Sequence, residues 1–144
     1  MEKFIRNPEV RWSDLDPNFH LRHSVYYDYG ANCRFYFLEE YGLTTAIMQQ
    51  SHFGPILFRE EAIFRREIKM GDKISIDLQL TKSRKDFSRW SITHQIFKNE
   101  NILAAVINVD GAWINTIERK LATPPQQIVE VFDKMPKVDG FEWQ

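Results

Sequence analysis

Apolar and polar residues alternate without a break over residues 73–81. Ile74, Ile76, Leu78 and Leu80 fall on one side, and Ser75, Asp77, Gln79 and Thr81 on the other. A two-residue period of this length predicts a strand with one buried face. The pattern returns in residues 87–98, where Trp90, Ile92, His94 and Ile96 share a face, and in 102–115, where Leu103, Ala105, Ile107 and Val109 do. Asn99-Glu100-Asn101 between them reads as a hairpin loop, and Met70-Gly71-Asp72 as a turn. Residues 55–68 give a further strand, with Ile56, Phe58, Ala62, Phe64 and Ile68 on one side. Residues 3–13 suggest a first strand, with Val10 and Trp12 on one face and Pro8 marking an edge or a bend.

One segment follows the helical period instead. From Ser24, a good N-cap residue, to Tyr41, the residues Tyr26, Tyr29, Gly30, Cys33, Phe37 and Tyr41 recur at helical spacing. Tyr27, Phe35, Tyr36 and Leu38 widen that stripe until most of the helix surface is apolar. Such a helix is central and wrapped by other elements. Gly30 inside it predicts a close approach to a neighbouring backbone, and Gly42 supplies a left-handed exit. Near the end of the chain, Thr123, Pro124 and Gln126 predict a capping box opening a short helix over about 124–134, docked by Ile128, Val129, Phe132 and Met135.

The order is strand, long helix, then four antiparallel strands in meander-like succession. That predicts an α+β fold, in which one strongly curved antiparallel sheet is wrapped around one long central helix. Residues 1–144 read as a single domain, a length that suits one full core.

Composition narrows the function. A net charge of -1 argues against a general nucleic-acid binder. The single cysteine, Cys33, excludes an internal disulfide framework and a cysteine-rich zinc site. No apolar run is long enough for membrane insertion, and the N-terminal residues lack the apolar core of a secretory signal, so a cytoplasmic protein is expected. Aromatic residues make up 14% of the chain, enough to build a ligand pocket or an interface besides the core.

The chemistry gathers in ten residues, where Asp14, Asp16, His20 and His23 lie directly before the long helix. A helix N-terminus presents unpaired N–H groups and a partial positive charge, which suit a polarised carbonyl or an oxyanion. Taken alone, Asp16 also reads as a residue that closes the turn before Pro17. A compact basic turn, Lys82, Arg84 and Lys85, is either a phosphate contact or a solvated hairpin. Arg65-Arg66 and Arg119-Lys120 are further pairs of the same kind. No serine nucleophile elbow, phosphate loop or dinucleotide fingerprint is present.

These residues resemble the 4-hydroxybenzoyl-CoA thioesterase branch of the hot-dog fold, whose pattern runs roughly Asp-x-Asp-x-x-Gly-His-x-x-Asn-x-x-Tyr. Asp14, Asp16, His20 and Tyr26 match it, while Phe19 stands in place of the glycine and His23 in place of the asparagine. The resemblance implies hydrolysis of acyl-CoA or acyl-carrier-protein thioesters, with a fatty or aryl acyl group. It assigns the catalytic carboxylate to Asp16, as general base toward water or as a nucleophile forming an anhydride. His20 would orient a water, bond Asp16 or contact the thioester oxygen. Asp14, His23 and Tyr26 would contact substrate or brace the loop, and Lys82, Arg84 and Lys85 would meet the coenzyme A phosphates. It implies no metal and no cofactor, coenzyme A being part of the substrate. It implies a homodimer or a dimer of dimers. A non-catalytic acyl-CoA-binding or regulatory protein on the same fold is the alternative.

Overall fold

The computed structural model describes residues 3–144. The elements in order are β1 (Ile5–Arg6), a short 3-10 turn (Trp12–Asp14), α1 (His23–Glu40), α2 (Thr45–Ser51), β2 (Phe53–Phe64), β3 (Ile74–Asp77), β4 (Gln79–Ser83), β5 (Arg89–Lys98), β6 (Ile102–Asn115), β7 (Lys120–Leu121), α3 (Gln126–Asp133) and β8 (Lys137–Trp143).

The alternating segment over 73–81 is one strand broken at Leu78. Its halves, β3 and β4, pair antiparallel with successive parts of β5. The four apolar residues that define the period, Ile74, Ile76, Leu78 and Leu80, are all buried. β5 and β6 form the long hairpin, with Ile92 opposite Val109 and His94 opposite Ile107. Its loop turns through positive φ at Asn99 and Glu100, which matches the backbone twist of the flanking strands. Trp90 lies opposite Gly111 in this ladder. A β-carbon on that glycine would run into the Trp90 ring and, independently, would stand 2.6 Å from the Ile56 carbonyl oxygen.

The expected meander is corrected in one place. β2 does not pair with β3; it crosses the sheet and pairs with β6. It has no other ladder among the described residues, so it is an edge strand. On the face expected to be buried, Phe58 and Phe64 are half exposed, Ile56 and Ala62 are partly buried, and Ile68, beyond the end of β2, is fully buried. A bulge between Leu57 and Arg59 adds to this by shifting the alternation in mid-strand. The first strand is also shorter than expected, two residues against residues 3–13, and Trp12 is 72% exposed in a 3-10 turn.

α1 lies against the concave face. Its buried residues are Val25, Tyr26, Tyr29, Gly30, Cys33, Phe37 and Leu38, close to the stripe that the sequence predicts. A β-carbon on Gly30 would come 3.3 Å from both the His94 ring and Arg34 Nη1, so the close neighbour is a side chain rather than a backbone. The helix exit uses Gly42 at φ +87°. α3 closes the rest of that face with Ile128, Val131, Phe132 and Met135. Phe132 stacks within 5.9 Å, centroid to centroid, of Phe87, Trp90 and Trp113. The residue preceding this helix is Pro125, and no side chain caps it. The Thr123 hydroxyl instead reaches Asp86 at 3.4 Å, which accounts for the missing capping box. β8 runs parallel to β4 and covers its outer edge.

Candidate active site

The loop before α1 is built from the outside in. Arg11 donates from its backbone N–H and its guanidinium to the Asp14 carboxylate, at 3.0 and 2.8 Å. Those donors hold the Asp14 carboxyl below the usual carboxylate range. The Asp14 carbonyl accepts from the Arg22 N–H at 2.7 Å, which fixes the chain just ahead of the helix. Inside this clamp, Asp16 N–H donates to His20 O at 2.8 Å and Phe19 N–H donates to Asp16 O at 2.9 Å. Leu21 N–H donates to Ile68 O at 2.7 Å, anchoring the loop to the segment that follows β2.

The Asp16 side chain is held by one oxygen. Oδ1 accepts from the backbone N–H groups of Asn18 at 2.8 Å and His20 at 3.1 Å. Oδ2 has no partner among the described residues, so one carboxylate oxygen is fixed and the other is free. Phe19 adopts φ +64°, so the loop keeps the left-handed turn that glycine makes without strain. The side chain stands out to solvent beside the Trp12 ring.

Asp16, His20, His23 and Tyr26 come together in one cleft of about 340 Å³, with Phe64, Arg65, Arg66 and Glu67 as its other main walls. His20 Nε2 lies 3.1 Å from Glu67 Oε2 and donates to that carboxylate, which leaves Nδ1 as the ring nitrogen not held by Glu67. The ring's partner is therefore Glu67, and only the backbone of His20 touches Asp16. The Tyr26 ring packs on Phe64 at 5.0 Å, and burial raises its hydroxyl pKa. The first turn of α1 borders this cleft through His23 and Tyr26. The helix is preceded by Arg22 rather than Ser24, and no side chain caps it. Ser24 instead accepts from Arg22 Nε at 2.9 Å.

The remaining candidates lie elsewhere. Asp14 lines a different cleft, of about 380 Å³, on the flank of α1 that faces the N-terminal segment. Lys82, Arg84 and Lys85 are exposed at the end of β4 and in the turn after it, and none lines the Asp16 cleft. Sequence reasoning passed over Glu67, because residues 55–68 read as one strand with this acid on its polar side, whereas β2 ends at Phe64. It also gave Arg65 and Arg66 second place, although their position at the end of β2 sets them against the loop. Cys33 is buried with its thiol pushed up to about 12, which leaves no reactive thiolate.

An antiparallel sheet curled round one long helix, with a carboxylate loop at that helix's N-terminus, defines the hot-dog fold. Residues 10–132 match the thioesterase-like superfamily, and the chain belongs to it. Several solved structures share the fold. A hypothetical protein from Staphylococcus aureus, solved in complex with CoA, is 18% identical with a TM-score of 0.84, over 96% of this chain and 89% of that one. A 1,4-dihydroxy-2-naphthoyl-CoA thioesterase from Synechocystis is 19% identical with a TM-score of 0.81, over 92% and 97%. A DHNA-CoA thioesterase from Staphylococcus aureus is 17% identical with a TM-score of 0.82, over 93% and 91%. No functionally curated protein matches the chain. Among the described residues, no helix is long and apolar enough to cross a membrane.

Proposed function

We propose that this protein hydrolyses acyl-CoA or acyl-carrier-protein thioesters to the free acid and the thiol. One observation carries the reading. Asp16 is fixed through Oδ1 and free at Oδ2, in a cleft that it shares with the N-terminal turn of α1. A thioester carbonyl against that turn is polarised by helix N–H groups. With Asp16 as general base, Oδ2 takes a proton from water as the water oxygen bonds to the carbonyl carbon. The tetrahedral intermediate then collapses, the C–S bond breaks, and the leaving thiolate takes up the proton. As nucleophile, Oδ2 itself bonds to the carbonyl carbon, the C–S bond breaks and the thiolate leaves; water then cleaves the anhydride to the free acid and the Asp16 carboxylate, its proton passing to the thiolate. His20, its ring oriented by Glu67, holds the water or the thioester region. Arg65 and Arg66 line the cleft and suit the coenzyme A phosphates. Lys82, Arg84 and Lys85 rank behind them, because they do not line it.

The unpaired edge of β2 and its exposed apolar residues support a homodimer or a dimer of dimers. A panel of acyl-CoA and acyl-carrier-protein thioesters, with the released thiol detected, tests the activity. Hydrolysis above buffer is the expected result. Tight binding of acyl-CoA without hydrolysis would favour the regulatory alternative instead.

A further inference from the structure

A second cavity, of about 210 Å³, opens between α1, β2, β5 and α3, with Arg34, Leu38, Leu57, Trp90, Phe132 and Met135 among its walls. It is apolar except at one place. Arg34 has only 15% of its side chain exposed, and its guanidinium is engaged twice, 3.0 Å from His94 Nε2 and 3.6 Å from Glu60 Oε2. A guanidinium has five N–H donors, so several remain for a ligand. The Glu60 carboxylate already balances its charge. A ligand carboxylate would leave the group net negative, whereas a neutral oxygen acceptor would not.

The position of this cavity relates it to the Asp16 cleft. α1 and β2 run side by side in opposite directions. Tyr26 packs on Phe64 at the cleft, Arg34 faces Glu60 further along, and Leu38 and Leu57 meet at the cavity. Tyr26 and Arg34 are eight residues apart on α1, which is about 12 Å along the helix. That span exceeds one aromatic ring and suits an extended aliphatic chain.

We propose that this cavity receives the far end of the acyl group, and that Arg34 selects chains ending in a neutral oxygen acceptor, a hydroxyl or keto group, over plain alkyl chains. The proposal rests on the thioesterase reading. It makes Arg34 a specificity-determining residue, with no part in bond cleavage.

The test uses matched straight-chain acyl-CoAs, with and without a terminal hydroxyl, over a range of lengths. At the length that reaches Arg34, the hydroxyl should raise kcat/KM by about 10- to 100-fold, the scale of a hydrogen bond to a charged group. Arg34→Met should bring the ratio close to one. Because Arg34 also holds His94, Leu57→Phe serves as a second variant that fills the cavity from β2 and leaves the guanidinium in place. It should shorten the longest accepted chain and abolish the hydroxyl preference. Equal kcat/KM within the pairs for the unaltered protein would overturn the proposal, as would a preference that survives either variant. If no thioester in the panel is cleaved, the thioesterase reading fails, and the cavity is then read separately. Calorimetry with the free hydroxy acids and their plain counterparts should show the same preference, lost in Arg34→Met, and equal or absent binding would refute it.

Discussion

Asp16→Asn separates the chemical role of this side chain from its structural one. The two backbone N–H groups that hold Asp16 both point at Oδ1. An asparagine carbonyl oxygen accepts the same two bonds, so the loop keeps its shape. Losing the charge weakens those bonds, at a cost of about 1 kcal/mol in stability. The free Oδ2 becomes an NH₂ group, which can neither take a proton from water nor attack a carbonyl. Removing a general base of this kind lowers turnover by about 10²–10⁴, which is about 3–5 kcal/mol of transition-state stabilisation. The kinetic loss thus exceeds the stability loss several-fold, and the two can be told apart. Thiol release on the best acyl-CoA gives turnover, and a circular-dichroism melt of the same sample gives stability. Asp14→Asn is the control, because Asp14 is tied to Arg11 in the other cleft; it should reduce turnover far less. A folded Asp16→Asn protein with undiminished turnover would refute the assignment. Asp16 would then be a loop-closing residue only.

Three further outcomes are expected. Replacing Arg65 and Arg66 with alanine should raise KM more than it lowers kcat, with an effect that shrinks as salt is added; a larger KM change from Lys82, Arg84 and Lys85 replaced together would return the phosphate site to the basic turn. Light scattering at micromolar concentration should give at least a dimer mass, and Ile63→Lys on the exposed side of β2 should shift it toward the monomer; a monomer mass for the unaltered protein would count against assembly through this edge. His94 is wholly buried, and burial with Arg34 alongside holds its pKa down to about 3, against 6.5 for a free ring. The unfolded chain therefore takes up this proton first, so stability present above about pH 6.5 is lost progressively as pH falls toward 3. His94→Gln should flatten that part of the melting-temperature profile, and an unchanged profile would show that other groups set it.

Much of the fold was legible because burial follows period. Residues 73–81 and 87–98 each have one face under α1 or α3, and alternation there is nearly complete. The long helix was legible from the spacing of Tyr26, Tyr29, Gly30, Cys33 and Phe37, which are buried, while Phe35, Tyr36 and Tyr41, expected to be wrapped as well, are exposed. β2 misled because it is an edge strand, where alternation does not report burial and a bulge shifts it. β8 was missed because Lys137-Val138-Asp139-Gly140 carries too few apolar residues to read as a strand, and its partner β4 is far away in sequence. In the candidate site, the loop residues were readable from their spacing. The pairing of His20 with Glu67 was not, nor that of Arg34 with Glu60. Each of these joins two segments that only the crossing of β2 to β6 brings together.

The contact between Trp90 and Gly111 bears on how the chain finds its register. Alternation alone does not distinguish the correct alignment of β5 on β6 from one slipped by two residues, since the same faces stay buried. A slip in one direction would set Trp90 opposite Val109, and in the other opposite Trp113. Both positions carry side chains where the indole needs bare backbone. The glycine therefore acts as a keyhole that accepts the indole in a single alignment.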